Sequence, residues 1–385
     1  MRTLVGILLS LIILGCASRP SSNQDTLDNL DVENIAKSFD ASASPSVAKP
    51  VAPAAAFRWQ SMFKGPPTSK ERPLLQQSIQ QLADASTVPE LLKRGQNESA
   101  LGLLSAAEAT YRTALRKDTK NIRALLDLAT ILQRQKRIPA ALDVLAEAKM
   151  LLTAQERPET EKIFKYRYTL AMTYLGSGDR AKAHDILSDL IGKDPTFLPG
   201  YAALAFSYLQ DGKDTVAKFI VEQAMDRGGD HAALYNILGI LHERQGRTPA
   251  AKDFYNRSLG MNEFFAPALV NRGNLYVSRG ELSMAETDFK KALDSEPSNT
   301  DAMIGLGVVF RQTGRFKLAK EILERALDLD ADNPLARFNL AILTRENLKD
   351  EGLALRYFTE VMQSTKANQS LRGLAKSAVD EIRSL

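Results

Sequence analysis

The stretch from Leu269 to Pro297 reads LVNRGNLYVSRGELSMAETDFKKALDSEP. Gly273 and Tyr276 lie three apart, at helical spacing, ahead of Gly280. Ala285, Phe289 and Ala292 then repeat that spacing, and Pro297 follows. Apolar and small residues three to four apart predict helices, and a glycine between two such runs predicts the turn that ends the first. The stretch therefore reads as helix, tight turn, helix.

The same signature recurs in register. Blocks of 34 residues start at Phe164, Leu198, Ala232, Ala266, Thr300 and Pro334. Their eighth residues are Ala171, Ala205, Gly239, Gly273, Gly307 and Ala341, all small, as close helix–helix approach demands. The fifteenth is Gly178, Gly212, Gly246, Gly280 and Gly314 in the first five blocks. The twentieth is Ala183, Ala217, Ala251, Ala285 and Ala319, and the twenty-fourth is bulky: Leu187, Val221, Tyr255, Phe289 and Leu323. In the last block Ala354 and Phe358 fall one place late, so one residue is inserted there. Two weaker copies precede. One carries Ala129, Ala141, Leu145 and Ala148, and is followed by extra residues around Ala154-Gln155-Glu156-Arg157-Pro158-Glu159. The other carries Gly95, Gly102, Ala107, Tyr111 and Ala114.

This pattern resembles the tetratricopeptide repeat. The resemblance implies an all-α, right-handed superhelical solenoid of about eight helix–turn–helix repeats over residues 88–368. A terminal repeat leaves an apolar face open. In residues 369–385, Leu371, Leu374, Ala378, Val379 and Ile382 share one helical face, and they predict a capping helix. Leu74, Leu75, Ile79 and Leu82 predict a lead-in helix within residues 68–87.

In this family the first helix of each pair lines a concave groove that binds protein segments. By that resemblance the candidate groove residues are Tyr168, Met172, Phe206, Leu209, Asn236, Ile240, Asn271, Asn274, Val308, Arg311, Phe338 and Asn339. Asn271 and Asn274 match the family's groove asparagines, whose amides both donate to and accept from an extended peptide backbone. The other candidates are mostly apolar. Two readings stand for them: anchors for an apolar or amphipathic partner, or packing against the next repeat and the chain's own tether.

The first sixteen residues, MRTLVGILLSLIILGC, place a basic Arg2 before an apolar run too short to span a bilayer. Ile13-Leu14-Gly15-Cys16 resembles the lipobox of bacterial lipoproteins. The resemblance implies a signal peptide over residues 1–15, cleavage before Cys16, and a lipid on that cysteine. Two or more acyl chains give a stable anchor, at ~0.8 kcal/mol per buried CH₂. Ala17 and Ser18 follow the cysteine where inner-membrane retention uses Asp, so the expected site is the outer membrane, facing the periplasm.

Residues 16–67 include ASASPSVAKPVAPAAA, a Pro/Ala/Ser tether with too little apolar surface to offset its ordering entropy. A flexible chain of ~50 residues has a mean span of roughly 40 Å. Within it, Phe57-Arg58-Trp59-Gln60-Ser61-Met62-Phe63 holds the chain's only Trp. It is either plain linker or a second partner-binding strip.

Composition narrows the chemistry. With 50 basic and 46 acidic residues among 385, the net charge is +4, and no basic stripe points to nucleic acid. One cysteine excludes a disulfide framework and a cysteine-based zinc site. His184, His231 and His242 stand apart in the sequence, and no nucleophile-elbow, phosphate-loop or zinc-protease motif occurs. The expectation is a protein-binding scaffold, with no enzymatic activity and no cofactor beyond the lipid on Cys16. Its layout of lipidated cysteine, tether and repeats resembles pilotin-type, tight-adherence and gliding-motility lipoproteins. An adaptor for periplasmic peptidoglycan enzymes or a protease, or a holder of exported subunits, is the alternative.

Overall fold

The computed structural model describes residues 66–155, 160–227 and 229–384. The signal-like segment, Cys16 and the strip around Trp59 lie outside these, as do residues 156–159 of the insertion.

Every regular element among the described residues is helical. A lead-in helix, α1 (Glu71–Gln81), packs on the first of eight pairs. These are α2 (Val88–Ala100) with α3 (Leu104–Lys117), α4 (Ile122–Arg134) with α5 (Ile138–Thr153), α6 (Thr160–Ser177) with α7 (Arg180–Lys193), and α8 (Leu198–Gln210) with α9 (Asp214–Asp226). Next come α10 (Ala232–Arg244) with α11 (Thr248–Met261), α12 (Ala266–Ser278) with α13 (Leu282–Ser295), α14 (Thr300–Gln312) with α15 (Phe316–Leu329), and α16 (Pro334–Ile342) with α17 (Glu351–Gln363). A final helix, α18 (Gln369–Arg383), buries Leu371, Ala375 and Val379 in a core shared with Phe338, Ala354 and Phe358. The expected all-helical array of eight pairs with a closing C-terminal helix is what the chain forms.

The turns follow from local chemistry. Between α12 and α13, Gly280 has φ +75°. Its amide donates to Val277 O (3.0 Å), and the Glu281 amide donates to Tyr276 O (2.9 Å). This double bond pattern closes a helix whose next residue must be left-handed, a place that suits glycine. The same place has positive φ in each of the eight pairs, but twice the residue is lysine: Lys136 at φ 61° and Lys349 at φ 59°. On the return turns, asparagine caps the next helix. Asn121 Oδ1 accepts from the Ala124 amide (3.0 Å), Asn299 from Ala302 (2.9 Å), and Asn368 from Leu371 (2.8 Å).

The inserted residue of the last repeat lies at the end of α16. There the helix widens into a π turn, Leu343–Asn347, and the Leu348 amide donates to Leu343 O (3.1 Å). A π turn absorbs one extra residue without breaking the helix. The insertion before Phe164 partly extends a helix instead: α6 has 18 residues, whereas α8 has 13.

Contacts divide the described chain into two units. The N-terminal unit holds residues 66–241 and 260–263, and the C-terminal unit holds residues 242–259 and 264–384. In the N-terminal unit, Leu91, Tyr111, Leu128 and Leu132 build one core and Ile122, Leu125, Leu145 and Leu152 another. In the C-terminal unit, one core runs from Leu259 through Phe289, Met303 and Leu323 to Leu343. Within each unit successive first helices adjoin: α2 with α4, α4 with α6 and α6 with α8 in one, α12 with α14 and α14 with α16 in the other. Each unit thus carries its own row of first-helix side chains.

Candidate functional site: the first-helix rows

Six of the twelve candidate groove residues belong to the N-terminal unit. On α6, Tyr168 is half-buried, edge-on to Phe197 at 5.2 Å between ring centroids. Burial pushes its phenol up to about 12. Met172, one helical turn on, is also half-buried. On α8, Phe206 is 42% exposed, one of the few large apolar side chains left in solvent. Its neighbour on the expected face, Leu209, is only 2% exposed and packs inside. On α10, Asn236 is buried and Ile240 half-buried. The row therefore offers Tyr168, Met172, Phe206 and Ile240 as accessible apolar surface, whereas Leu209 and Asn236 offer almost none.

The other six line the C-terminal unit. Asn271 and Asn274 on α12 are half-buried. Asn274 Oδ1 is buried without a hydrogen-bond partner among the described residues. On α14, Val308 is buried. Arg311 extends along the same helix, with Nη1 3.3 Å from Glu346 Oε2 and with Nε buried and unbonded. Desolvation by burial holds this guanidinium below its ordinary value, and Glu346 acts the other way. On α16, Phe338 and Asn339 are buried. Phe338 meets Phe358 edge-on at 5.5 Å, and Asn339 Nδ2 donates to Leu335 O (2.8 Å) on its own helix. Val308, Phe338 and Asn339 thus stabilise the stack. Asn274 Oδ1 and Arg311 Nε are buried polar atoms without a hydrogen-bond partner among the described residues.

A pocket of about 330 Å³ lies elsewhere, lined by Arg272, Tyr276, Ser283, Met284, Thr287 and Asp288. Its charge is already matched. Arg272 holds both Asp288 oxygens (2.7 Å each) and donates to Asn256 Oδ1 (2.7 Å).

The histidines are built into the packing. His184 Nε2 lies 2.8 Å from Ser207 Oγ, and its ring tilts over Tyr208 at 4.5 Å. Ser207 is buried, so this pair ties α7 to α8 rather than facing a substrate. His242 stacks on Phe254 at 4.9 Å. Among the described residues no group of three or more His, Cys, Asp or Glu side chains could hold a metal ion, and no helix is long and apolar enough to cross a membrane.

One contact had no signal in the sequence. The Ser69 amide and hydroxyl both donate to Glu263 Oε1 (3.0 and 2.6 Å), and Asn262 Nδ2 donates to Pro66 O (3.0 Å). These partners stand 194 and 196 residues apart. No periodicity or local motif reports a contact at that separation.

Comparison with known proteins agrees with this geometry. A family model described as tetratricopeptide repeat matches residues 92–157 and 270–334, one segment in each unit. No curated protein matches the chain in sequence. Among solved structures, a chain of the APC/C hetero-tetramer Cut9–Hcn1 superposes with a TM-score of 0.56 at 16% identity, covering 80% of this chain. This chain spans 60% of that one's length, and at that identity the likeness is one of fold. A tetratricopeptide repeat protein from Parabacteroides merdae ATCC 43184 matches with a TM-score of 0.44 at 17% identity, over 67% of this chain and 98% of that one. PilW, described as a widely conserved type IV pilus biogenesis factor, matches with a TM-score of 0.44 at 18% identity, over 55% of this chain and 98% of that one. The two segments that match the tetratricopeptide-repeat model lie one in each unit, and the helix–turn–helix pair they contain is repeated eight times among the described residues.

Proposed function

We propose that this protein is a lipid-anchored adaptor of the bacterial outer membrane, facing the periplasm. It helps assemble or stabilise a multiprotein envelope complex of the pilus–secretin, secretion or gliding-motility kind. Tetratricopeptide repeats are protein-interaction scaffolds, and this chain stacks eight helix–turn–helix pairs, with two segments that match the repeat's model. The observation that carries the binding reading is Phe206, a phenylalanine 42% exposed in a row that also holds Tyr168, Met172 and Ile240. A solvated aromatic beside aliphatic neighbours is an anchor of the kind partner segments use. The anchor reading rests on Cys16 at the end of MRTLVGILLSLIILGC.

A second reading is favoured by the same apolar row: an adaptor that recruits peptidoglycan synthases, hydrolases or a protease, or a holder of exported subunits. In-cell photo-crosslinking from position 206, followed by mass spectrometry, separates these. Capture of a secretin, pilus or motility component supports the assembly role. Capture of cell-wall enzymes replaces it with recruitment. The anchor has its own test: Cys16→Ser should block processing and acyl labelling, and an acylated Cys16→Ser protein overturns the lipoprotein reading.

A further inference from the structure

In a solenoid each pair rests on its neighbours, and the spacing of distant pairs is the sum of those nearest-neighbour contacts. Within each unit the helices of this chain pack in that way, on their own or the adjoining pair. Residues 66–83 add a different kind of contact. At one end they meet α2: Asn97 Nδ2 donates to Ser78 Oγ (3.0 Å), and Arg94 Nη1 donates to Ala83 O (2.8 Å). At the other end the Ser69 amide and hydroxyl donate to Glu263 Oε1, and Asn262 Nδ2 donates to Pro66 O. Both anchor points belong to the N-terminal unit. One is its first pair and the other is the segment 260–263, and α1 bridges them along its length of about 16 Å.

The first and last described helices are attached in different ways. The closing helix α18 buries Leu371, Ala375 and Val379, so it covers the last pair as a cap. In contrast, α1 buries no residue, and its Leu74 is 65% exposed. Polar bonds at its two ends hold it, together with Pro67, which is buried. The Thr68 amide and hydroxyl both donate to Glu71 Oε2 (2.9 Å each), and this fixes the turn on which Ser69 sits. A carboxylate accepting two hydrogen bonds is a firm anchor. A helix with no core residue nevertheless opens far more readily than the pairs that it joins.

We propose that residues 66–83 are a releasable strap of the N-terminal unit. Closed, the strap ties the first pair to the segment after α11 and fixes the distance between them. Open, it leaves that distance to the pairs in between. The clasp is the bonding of Ser69 to Glu263 and of Asn262 to Pro66. A ligand that fits only one spacing of the first helices shifts the strap between its two states, by as much as its affinities for the two differ. The strap needs no group beyond this chain, so it stands whether or not the adaptor reading does.

Cys16 is the chain's only cysteine, so a full-length Cys16→Ser protein accepts a single chosen pair of spin labels. Labels at Lys93→Cys on α2 and at Met261→Cys beside the clasp, both exposed positions, report the distance that the strap fixes. Double electron–electron resonance should give a narrow distribution with the clasp intact. Glu263→Ala should broaden it several-fold and move its mean outward at unchanged helix content. Ser69→Pro, which removes both donors from the other side of the clasp, should do the same. Should Glu263→Ala lose helix, Asn262→Ala takes its place. A broad distribution with the clasp intact overturns the proposal. An equally narrow one in both variants also overturns it, because the intervening pairs then fix the distance alone. Broadening in only one of the two variants assigns the effect to that residue's other contacts and overturns the strap as well.

Discussion

The ring of Phe289 lies directly over Gly273: a Cβ at that glycine would meet Phe289 Cε1 at 2.8 Å. The two residues stand at the eighth and twenty-fourth places of one repeat. Gly307 stands in the same relation to Leu323 (2.7 Å to Cγ), and Gly95 to Tyr111 (2.8 Å to Cε1). Leu187 and Val221 stand opposite Ala171 and Ala205 instead, so leucine occurs opposite both glycine and alanine. At Gly273 the Phe289 ring fills the space that a Cβ would take. Gly273→Ala should destabilise by about 1–3 kcal/mol through overpacking. Combining it with Phe289→Leu should recover part of that loss, so the double variant's urea midpoint should lie above the sum of the two single effects. Strict additivity would mean that the two side chains are not coupled.

Lys136 occupies, at φ 61°, a turn position that glycine takes in most repeats. A left-handed non-glycine residue costs about 1–2 kcal/mol, and glycine returns part of that as unfolded-state entropy. Lys136→Gly should therefore stabilise by about 0.5–1 kcal/mol, read as a rise in urea midpoint. Gly280→Ala should lower it, since Gly280 has φ +75°.

Hydrogen bonds from Arg315 hold the Glu286 carboxyl down at about 2, against an ordinary 4.5, with Lys290 adding to the effect and burial opposing it. The Arg315 nitrogens lie 3.0 and 2.5 Å from its two oxygens. A depressed carboxyl stabilises the fold above its unfolded value and ceases to do so as pH falls toward its folded value. The difference in Tm between the unaltered protein and Arg315→Ala should be full above about pH 5 and should fade on acidification toward pH 2. A difference that persists unchanged at pH 2 would assign the effect to packing.

Phe206 and Phe338 occupy comparable first-helix positions with opposite surroundings. Phe206 is partly exposed, whereas Phe338 is buried against Phe358. Phe338→Ala should cost about 3–5 kcal/mol of stability. Phe206→Ala should leave the melt nearly unchanged and reduce partner capture, as should Asn271→Ala. Partner binding that survives both substitutions would move the site to another face.

Much of this protein was legible in its sequence, because the information is local or periodic. The alternation of small and bulky residues every 34 positions specifies which helix faces meet, and turn glycines specify where the chain reverses. Gly273, Gly280, Phe289 and Ala292 sufficed to define the pair, and Leu371 and Val379 to define the closing helix. Side-chain depth was not legible. A position on a helix face says which way a residue points, not how far its neighbours rise around it, so Leu209, Val308 and Phe338 read like Phe206 and yet are buried. Nor did spacing reveal that the last repeat absorbs its extra residue as a π turn at Leu343–Asn347, since an insertion can equally lengthen a loop. The bond between Ser69 and Glu263 depends on tertiary structure alone. It joins residues with no shared period, brought together only when the intervening pairs stack. The sequence determined the repeating unit through side-chain volume and backbone conformation, and tertiary packing decided which parts of that unit remain open to a partner.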